Sequence, residues 1–489
     1  MKTGIQCDPS KAVSDQTERV ISMTRFPIQK SPSIRLLFSL ALVFMLGGCG
    51  VLPRAEPTPE PAIEYPQSWE RLPQNLSSEP TGQCGAESAS LNALMTEALE
   101  QNLTLKTLRS QVEQARLGVT VVRADRMPSL SGALATTRRR TNANQFRAPN
   151  QQYNLGLDGQ FEVDVWRRLS DAQRRAQLQF RSAQYSYENA VRVVLGDVAK
   201  AWYTAIFARE LAGVFSQRVE SVGNNLDIVE QAYRQGINTA LDVYLARTSF
   251  AQEQARVARQ RQTALESISS LQLLVTEYPS GQKVLDEKLP EPGPLVNPEQ
   301  PTAILEGRPD VMQAWTDLLA QNAAVAVAHK ERFPRLVIGA SIDDLETEIG
   351  DILDGNNLAW SIVANLSQPI FQAGRLKALE AQARKQLEQQ ELAYIDTLQR
   401  AFGEVEDTLS NAQSLQVQIN TSDRAADAAN AAYELSFQQY QRGLTNYATV
   451  LQSEQRAFDT TSSLLELRYL QLINRIDLCT ALGGKGILQ

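Results

Sequence analysis

Few side chains in this 489-residue chain could carry covalent or metal chemistry. His329 is the only histidine, which nearly excludes a histidine-containing catalytic triad and any site with several histidine ligands. The four cysteines, Cys7, Cys49, Cys84 and Cys479, form no C-x-x-C pair, so a zinc ion has no ligand set. There is no G-x-S-x-G, no phosphate loop and no H-E-x-x-H, and Gly483-Gly484-Lys485-Gly486 lacks the Walker spacing. His329, just ahead of Phe333-Pro334, reads as structural. An enzyme is therefore not expected, nor any metal or cofactor. Thiol chemistry and hydrogen bonds between phenols and carboxylates are what remain.

The thiol with a recognisable setting is Cys49. Lys30 and Arg35 precede an apolar run from Leu36 to Leu46, followed by Gly47, Gly48 and Cys49. A basic flank, a short apolar run and small residues before a cut site describe a secretory signal, too short to span a bilayer. Leu46-Gly47-Gly48-Cys49 resembles a bacterial lipobox, in which cleavage leaves the cysteine first and lipid-bearing. Residues 1–48 are then a signal peptide, with Met23 a candidate true start, and 49–87 a lipidated tether. Gly50 stands where an aspartate would mark retention in the inner membrane, so the motif points to the outer membrane. Pro53, Pro57, Pro59, Pro61, Pro66, Pro73 and Pro80 make the tether extended.

Beyond the tether the chain is written twice. Arg126-Met127-Pro128-Ser129-Leu130 matches Arg332-Phe333-Pro334-Arg335-Leu336, and Tyr233-x-x-Gly236 matches Tyr440-x-x-Gly443, at nearly constant spacing. Each copy reads as helix, two strands, long helix, turn and return helix. The first helices are expected at Ser88–Arg126 and Thr302–Arg332, ending ahead of Pro128 and Pro334. From Tyr153 to Val165 apolar residues alternate with polar or small ones, the mark of a two-faced strand. The partner strand of copy two carries Trp360, Ile362, Ala364 and Leu366. Long helices follow at Leu169–Tyr233 and Leu376–Tyr440, each about 95–100 Å. Phe215, Val219, Val222, Leu226, Val229 and Tyr233 give the first a coiled-coil seam, as do Ile395, Leu398, Phe402, Val405, Leu409 and Ala412 the second. Gly236 and Gly443 permit the reversals into return helices at Thr239–Thr276 and Asn446–Leu482. The repeats thus occupy 88–278 and 302–484, joined by a linker, 279–301, that begins and ends on proline, and followed by a tail, 485–489.

Two short helices end to end match the length of one long helix, which suits a wall of uniform height. The net charge of −7 argues against nucleic acid as a partner. The alternating strands suit either a half-buried soluble sheet or a lipid-facing one. In lipid, unpaired strand edges cost several kcal/mol per group, and four strands cannot close a barrel, so several chains would have to share one. Strand count alone allows dimers, trimers or more.

Gly307-Arg308-Pro309-Asp310-Val311, then Leu366-Ser367-Gln368-Pro369-Ile370-Phe371 with Gly374-Arg375, Phe161-Glu162-Val163-Asp164-Val165-Trp166 and the terminal Ala481-Leu482-Gly483-Gly484, together resemble the TolC/OprM outer-membrane efflux family, in its lipoprotein branch. The resemblance runs from about Ser88 to Gly484. It implies a mainly α fold with transmembrane β: an internally duplicated strand–helix repeat whose trimer forms a 12-stranded β-barrel continuous with a long periplasmic α-helical barrel. It implies a passive exit duct for small molecules, delivered by an inner-membrane pump through a periplasmic adaptor (membrane fusion) protein. A duct for type I protein secretion and a non-channel coiled-coil scaffold are the alternatives. Asp242 and Tyr440 stand where some members link neighbouring helix pairs to hold the periplasmic end shut; as residues alone, they read equally as a helix-start carboxylate and a core phenol. Thr449 and Gln452 replace acidic residues that ring the lumen in some members, which removes the expectation of a cation-binding constriction. Cys84, ahead of the first helix, and Cys479, at the end of the last, would meet partway up the tube in an oxidising compartment, where a disulfide is expected.

Overall fold

The computed structural model describes residues 66–72, 88–139, 150–237, 239–291, 298, 300–352, 354 and 357–484. The chain divides into two units, Met1–Glu56, which lies outside the described residues, and Pro57–Gln489, which holds every element below. In order these are α1 (Ala89–Gln101), α2 (Leu103–Ala124), β1 (Ser129–Arg139), β2 (Asn150–Val163), α3 (Arg168–Arg234) and α4 (Ala240–Leu274). Copy two runs α5 (Ala303–Gly307), α6 (Pro309–Lys330), β3 (Arg335–Glu346), a 3-10 turn at Ile349–Asp351, β4 (Leu358–Ser367), α7 (Arg375–Gln441) and α8 (Tyr447–Ala481).

The copies match in length. α3 and α7 have 67 residues each, or roughly 100 Å. α4 and α8 have 35 each, and α2 and α6 have 22 each. Both long helices end on glycine in the left-handed region, Gly236 at φ 76° and Gly443 at φ 73°. In each, the glycine N–H bonds three residues back and the next N–H five back (Ile237 to Ala232, Leu444 to Gln439, both 2.9 Å), a Schellman stop.

Two expected helices are broken. The run from Ser88 to Arg126 divides at Asn102, whose side chain accepts from the N–H of Thr104 and Leu105 and so starts a new helix. Its Nδ2 also donates to the Leu274 carbonyl, 2.8 Å away, tying the break to the end of α4. The run from Thr302 to Arg332 divides at Arg308, held extended (φ −100°, ψ 119°) because it precedes Pro309.

α3 and α7 run the full height of the helical part. Near the strands they are flanked by α2 and α6, with α6 between them. Toward the hairpin tips they are flanked by α4 and α8, with α8 against both. Two short helices therefore lie along each long one. One core gathers Trp202, Tyr203 and Ile206 of α3 with Leu91 and Met95 of α1 and Leu472 and Ile476 of α8. A second gathers Leu398, Val405 and Leu409 of α7 with Val311 of α6 and Trp69 of the tether.

The strands form one antiparallel sheet in the order β1-β2-β3-β4, so β1 and β4 each pair on one side only. The register aligns faces: Leu134 lies opposite Leu155, Leu157 opposite Ile342, and Ile342 opposite Trp360. That face is apolar over most of its length. The other carries Asp158, Gln160 and Glu162 of β2, with Ser341 and Asp343 of β3 and Asn365 of β4. No described helix is long and apolar enough to cross a membrane.

Candidate functional site

The sheet is the first functional surface. Strands of 10 to 14 residues reach across a hydrocarbon core when tilted. In the single chain Leu130 is 76% exposed and Trp360 74% exposed on the apolar face. A soluble protein would cover such residues; hydrocarbon suits them without a cover.

Each strand pair feeds its long helix through a sharp join. Arg167 adopts φ 63° immediately before α3, where the equivalent residue before α7 is Gly374 at φ 82°. The Trp166 indole donates to the Pro334 carbonyl at 2.7 Å and packs on Phe333, so the β2–α3 join is braced against the α6–β3 join of the second copy. His329 belongs to this zone. Its Nδ1 lies 3.1 Å from Glu380, which also takes Arg332 at 2.9 Å and Arg384 at 3.0 Å. Burial raises the Glu380 carboxyl, but the donors of Arg384, Arg332 and His329 outweigh it and hold the group at about 2.

Midway along the wall, two motifs distant in sequence meet. Arg308, 2% exposed, donates to Asp310 through Nε (3.1 Å) and Nη2 (2.6 Å), and through Nη1 to Glu404 (2.7 Å) and the Ala481 carbonyl (3.0 Å). Gly483, at φ 104°, passes so close to Gly307 that a Cβ would lie 2.6 Å from its carbonyl oxygen. The Arg308-Pro309-Asp310 motif is thus a clamp on the end of α8. Cys479, in the same turn region, is buried and disulfide-bonded. Cys84, its expected partner, lies outside the described residues, as does Cys49.

At the tips, Asp242 is committed locally. It accepts from the Thr239 N–H (3.0 Å) and hydroxyl (2.8 Å), while its own N–H donates to Thr239 Oγ1, a reciprocal cap on α4. Tyr440 packs on Tyr447, ring centroids 5.6 Å apart, beside Val229, Val243 and Val450. Burial first, then Glu454, Tyr440, Tyr433 and Asp242, push the Tyr447 phenol up. Thr449 and Gln452 are exposed, Thr449 being engaged by Asn446 at 3.0 Å.

The expected seam is shifted. Val222 and Val229 are buried as expected, but their buried neighbours on α3 are Arg218 and Asn225; Phe215, Val219 and Leu226 are half-buried and Tyr233 is 47% exposed. The reason is that α3 packs against α4 on one side and α8 on the other, a wider contact than a two-helix seam. Sequence reasoning missed the polar residues that fill it: Arg218, Asn225, Glu253 and Glu454. A usable signal existed. Tyr447, Val450, Glu454 and Ala457 step three, four, three, which places Glu454 on a core position.

Residues 94–276 and 301–484 match the family described as outer membrane efflux protein. The solvent efflux pump outer membrane protein SrpC of Pseudomonas putida is 26% identical over 479 residues, covering 90% of this chain and 96% of that protein. The cation efflux system protein CusC of Escherichia coli O6:H1 is 28% identical over 470 residues, covering 93% and 99%. In fold, the chain superposes on the open-state outer membrane channel MtrE of Neisseria gonorrhoeae with a TM-score of 0.77 at 21% identity, covering 88% of this chain and 98% of that one. That family is one of channels rather than enzymes. With a two-faced sheet set on a full-length helical wall, the chain belongs to the outer membrane efflux protein family and is an efflux channel of the outer membrane that extends into the periplasm.

Proposed function

We propose that three copies of the chain close one 12-stranded barrel and, below it, one helical tube, giving a passive exit duct of a tripartite efflux system. The observation that carries this is the sheet: β1 and β4 each have an unpaired edge, and one face is apolar where the other is polar. Joining β1 of one copy to β4 of the next satisfies both edges and encloses the polar face around water. A periplasmic adaptor would meet the hairpin tips, where Ile237, Leu241, Tyr244 and Leu444 stand exposed, and an inner-membrane pump would load the duct. Small solutes are the cargo this reading favours, since the named systems of the relatives handle solvents and cations.

Three finer assignments accompany it. Cys49 carries the lipid. Trp69 seats on Phe402, 27 residues along α7 from Arg375, or about 40 Å from its membrane end. The twenty residues from Cys49 to Trp69 can span about 66–72 Å, enough to reach the bilayer. Cys84 is the partner of Cys479: it lies four residues ahead of Ser88, the cap of α1, and α1 shares a core with Cys479. Asp242, which caps α4, and Tyr440, which packs on Tyr447 of α8, hold the tips together. Native-mass measurement of the detergent-extracted protein should give three chains, and planar bilayers should show discrete conductance. A stable monomer without conductance would sink the duct. Alkylation under denaturing, non-reducing conditions should leave Cys84 and Cys479 unlabelled, and mass spectrometry should find acyl chains on Cys49.

A further inference from the structure

The two helical hairpins of one chain, α3–α4 and α7–α8, touch through α3 and α8. Above, this contact is aromatic: Phe207 stacks on Tyr469 at 4.5 Å, and Phe215 meets Phe458 at 4.8 Å. At the tip it is apolar again, with Val229, Val243 and Val450. Between them lies a buried polar break. Arg218 of α3 pairs with Glu253 of α4 at 3.1 Å, both side chains 3% exposed, and its guanidinium covers the Phe458 ring at 4.0 Å. Glu454 of α8, 5% exposed, takes the Asn225 amide at 3.1 Å and the Ser221 hydroxyl at 3.2 Å on one oxygen, with the Tyr433 hydroxyl at 3.5 Å.

The two arginines and two glutamates are unevenly paired. Arg218 is matched by Glu253, which Arg256 also reaches from the surface at 3.2 Å. Among the described residues, no lysine or arginine forms an ion pair with Glu454. Its Oε2, the Tyr447 hydroxyl, Glu253 Oε2 and two Arg218 nitrogens are buried without a hydrogen-bond partner. A buried carboxylate with no cation paired to it favours its protonated form; ionised, it must draw in water or part the helices that enclose it.

The geometry points to a proton-sensitive latch in each chain: Glu454 in its acid form seals the α3–α8 contact near the tip, and its ionisation releases the two hairpins from one another. The groups facing Glu454 are Arg218 on α3, Glu253 on α4, Tyr433 on α7, and Tyr447 on α8, with Arg256 and Asp459 beside Arg218 and Asp242 and Tyr440 beside Tyr447. Burial raises the Glu454 carboxyl, and the lowering contributions of Ser221, Arg218 and Tyr433 do not offset it. Since the sealed state binds this proton more tightly than an opened, wetted state, sealing is strongest below the ordinary carboxylate range. It weakens as pH rises through the raised value. Each unit of difference is a tenfold change in the sealed-to-open ratio per chain.

This inference rests on the duct reading, and the test separates the two. The purified full-length oligomer in planar bilayers, stepped upward in pH from the ordinary carboxylate range, is expected to raise its open probability in a single transition. Glu454→Gln keeps the shape and cannot ionise, so it should stay closed throughout. Tyr433→Phe strips one donor from the anion and should move the transition to higher pH. A transition that persists unchanged in Glu454→Gln, or a wild-type channel indifferent to pH, overturns the latch while the duct stands. Absence of any channel in the wild type overturns both. Should Glu454→Gln fail to assemble, an unmoved transition in Tyr433→Phe refutes the latch by itself.

Discussion

Replacing Arg308 by methionine should destabilise the assembled protein more than any other single change at the clamp. The side chain is 2% exposed and fills both oxygens of Asp310, one of Glu404 and the Ala481 carbonyl. Methionine fills much of the volume, so the loss is electrostatic. Asp310 would keep the Val311 N–H, at 3.0 Å, and Arg192, at 3.3 Å, as its donors, and the Ala481 carbonyl would lose the Arg308 donor. Removing one partner of a buried ion pair costs about 3–5 kcal/mol. Glu404, whose side chain is 54% exposed, adds little to that figure, because water replaces the guanidinium there. At about 2 °C per kcal/mol for a large unit, the temperature at which the unboiled oligomer dissociates on a gel should fall by about 6–10 °C. Arg308→Lys keeps the charge but loses the fork and should fall between. The sharper check is the double variant Arg308→Met/Asp310→Leu, which removes both charges and should recover most of the loss. If that variant is as unstable as the sum of the two single changes, or if Arg308→Met melts like wild type, the clamp is not what holds the end of α8.

Other consequences can be measured alongside. Glu380→Gln should cost about 3 kcal/mol at neutral pH, since the carboxyl is held at about 2 against an ordinary 4.5. Because the folded value is depressed, wild-type stability from this group is present above about pH 4.5 and disappears as pH falls toward 2, so the two proteins should converge in acid melting curves. Gly483→Ala meets both a φ of 104° and the Gly307 carbonyl at 2.6 Å, and should cost at least about 2 kcal/mol. Gly213→Ala in α3, where a Cβ meets nothing within 4 Å in the single chain, should gain about 0.5–1 kcal/mol by the same thermal assay. Trp69→Ala should free the tether from Phe402 and from Glu406, which accepts from the N–H of Glu70 and Arg71, raising protease cleavage near residue 70 about a hundredfold.

Much of this architecture could be read from periodicity and punctuation. Alternation in Tyr153–Val165 located β2, and Gly236 and Gly443 located both reversals, because strand faces and left-handed turns are local matters of side-chain type. The breaks at Asn102 and Arg308 were less legible. Asn102 acts as a cap only because the end of α4 is there to receive its amide. The clamp motifs read as separate stretches, and only the meeting of the end of α8 with the α5–α6 junction brings Gly307 and Gly483 together. The polar break was hidden for the same reason. Arg218, Glu253 and Glu454 sit on three helices; Arg218 and Glu253 alone look like ordinary surface charges, and only Glu454 is marked by its spacing from Tyr447, Val450 and Ala457. Asp242 illustrates the reverse: its carboxylate is engaged by Thr239, three residues away, a reciprocal pairing visible in the sequence once a helix is known to begin there.

The equal lengths of α3 and α7, and of α4 and α8, restrict how such a protein can evolve. An insertion of one heptad in α3 alone would lower one tip by about 10 Å and leave its neighbour behind, a step in the rim that no partner could seat against. The same seven residues would have to enter α4 to keep its apolar stripe in phase, and then α7 and α8 as well. Growth or shortening must therefore arrive as four matched changes or be rejected, so the height of the wall is held in this chain as a fixed number of turns.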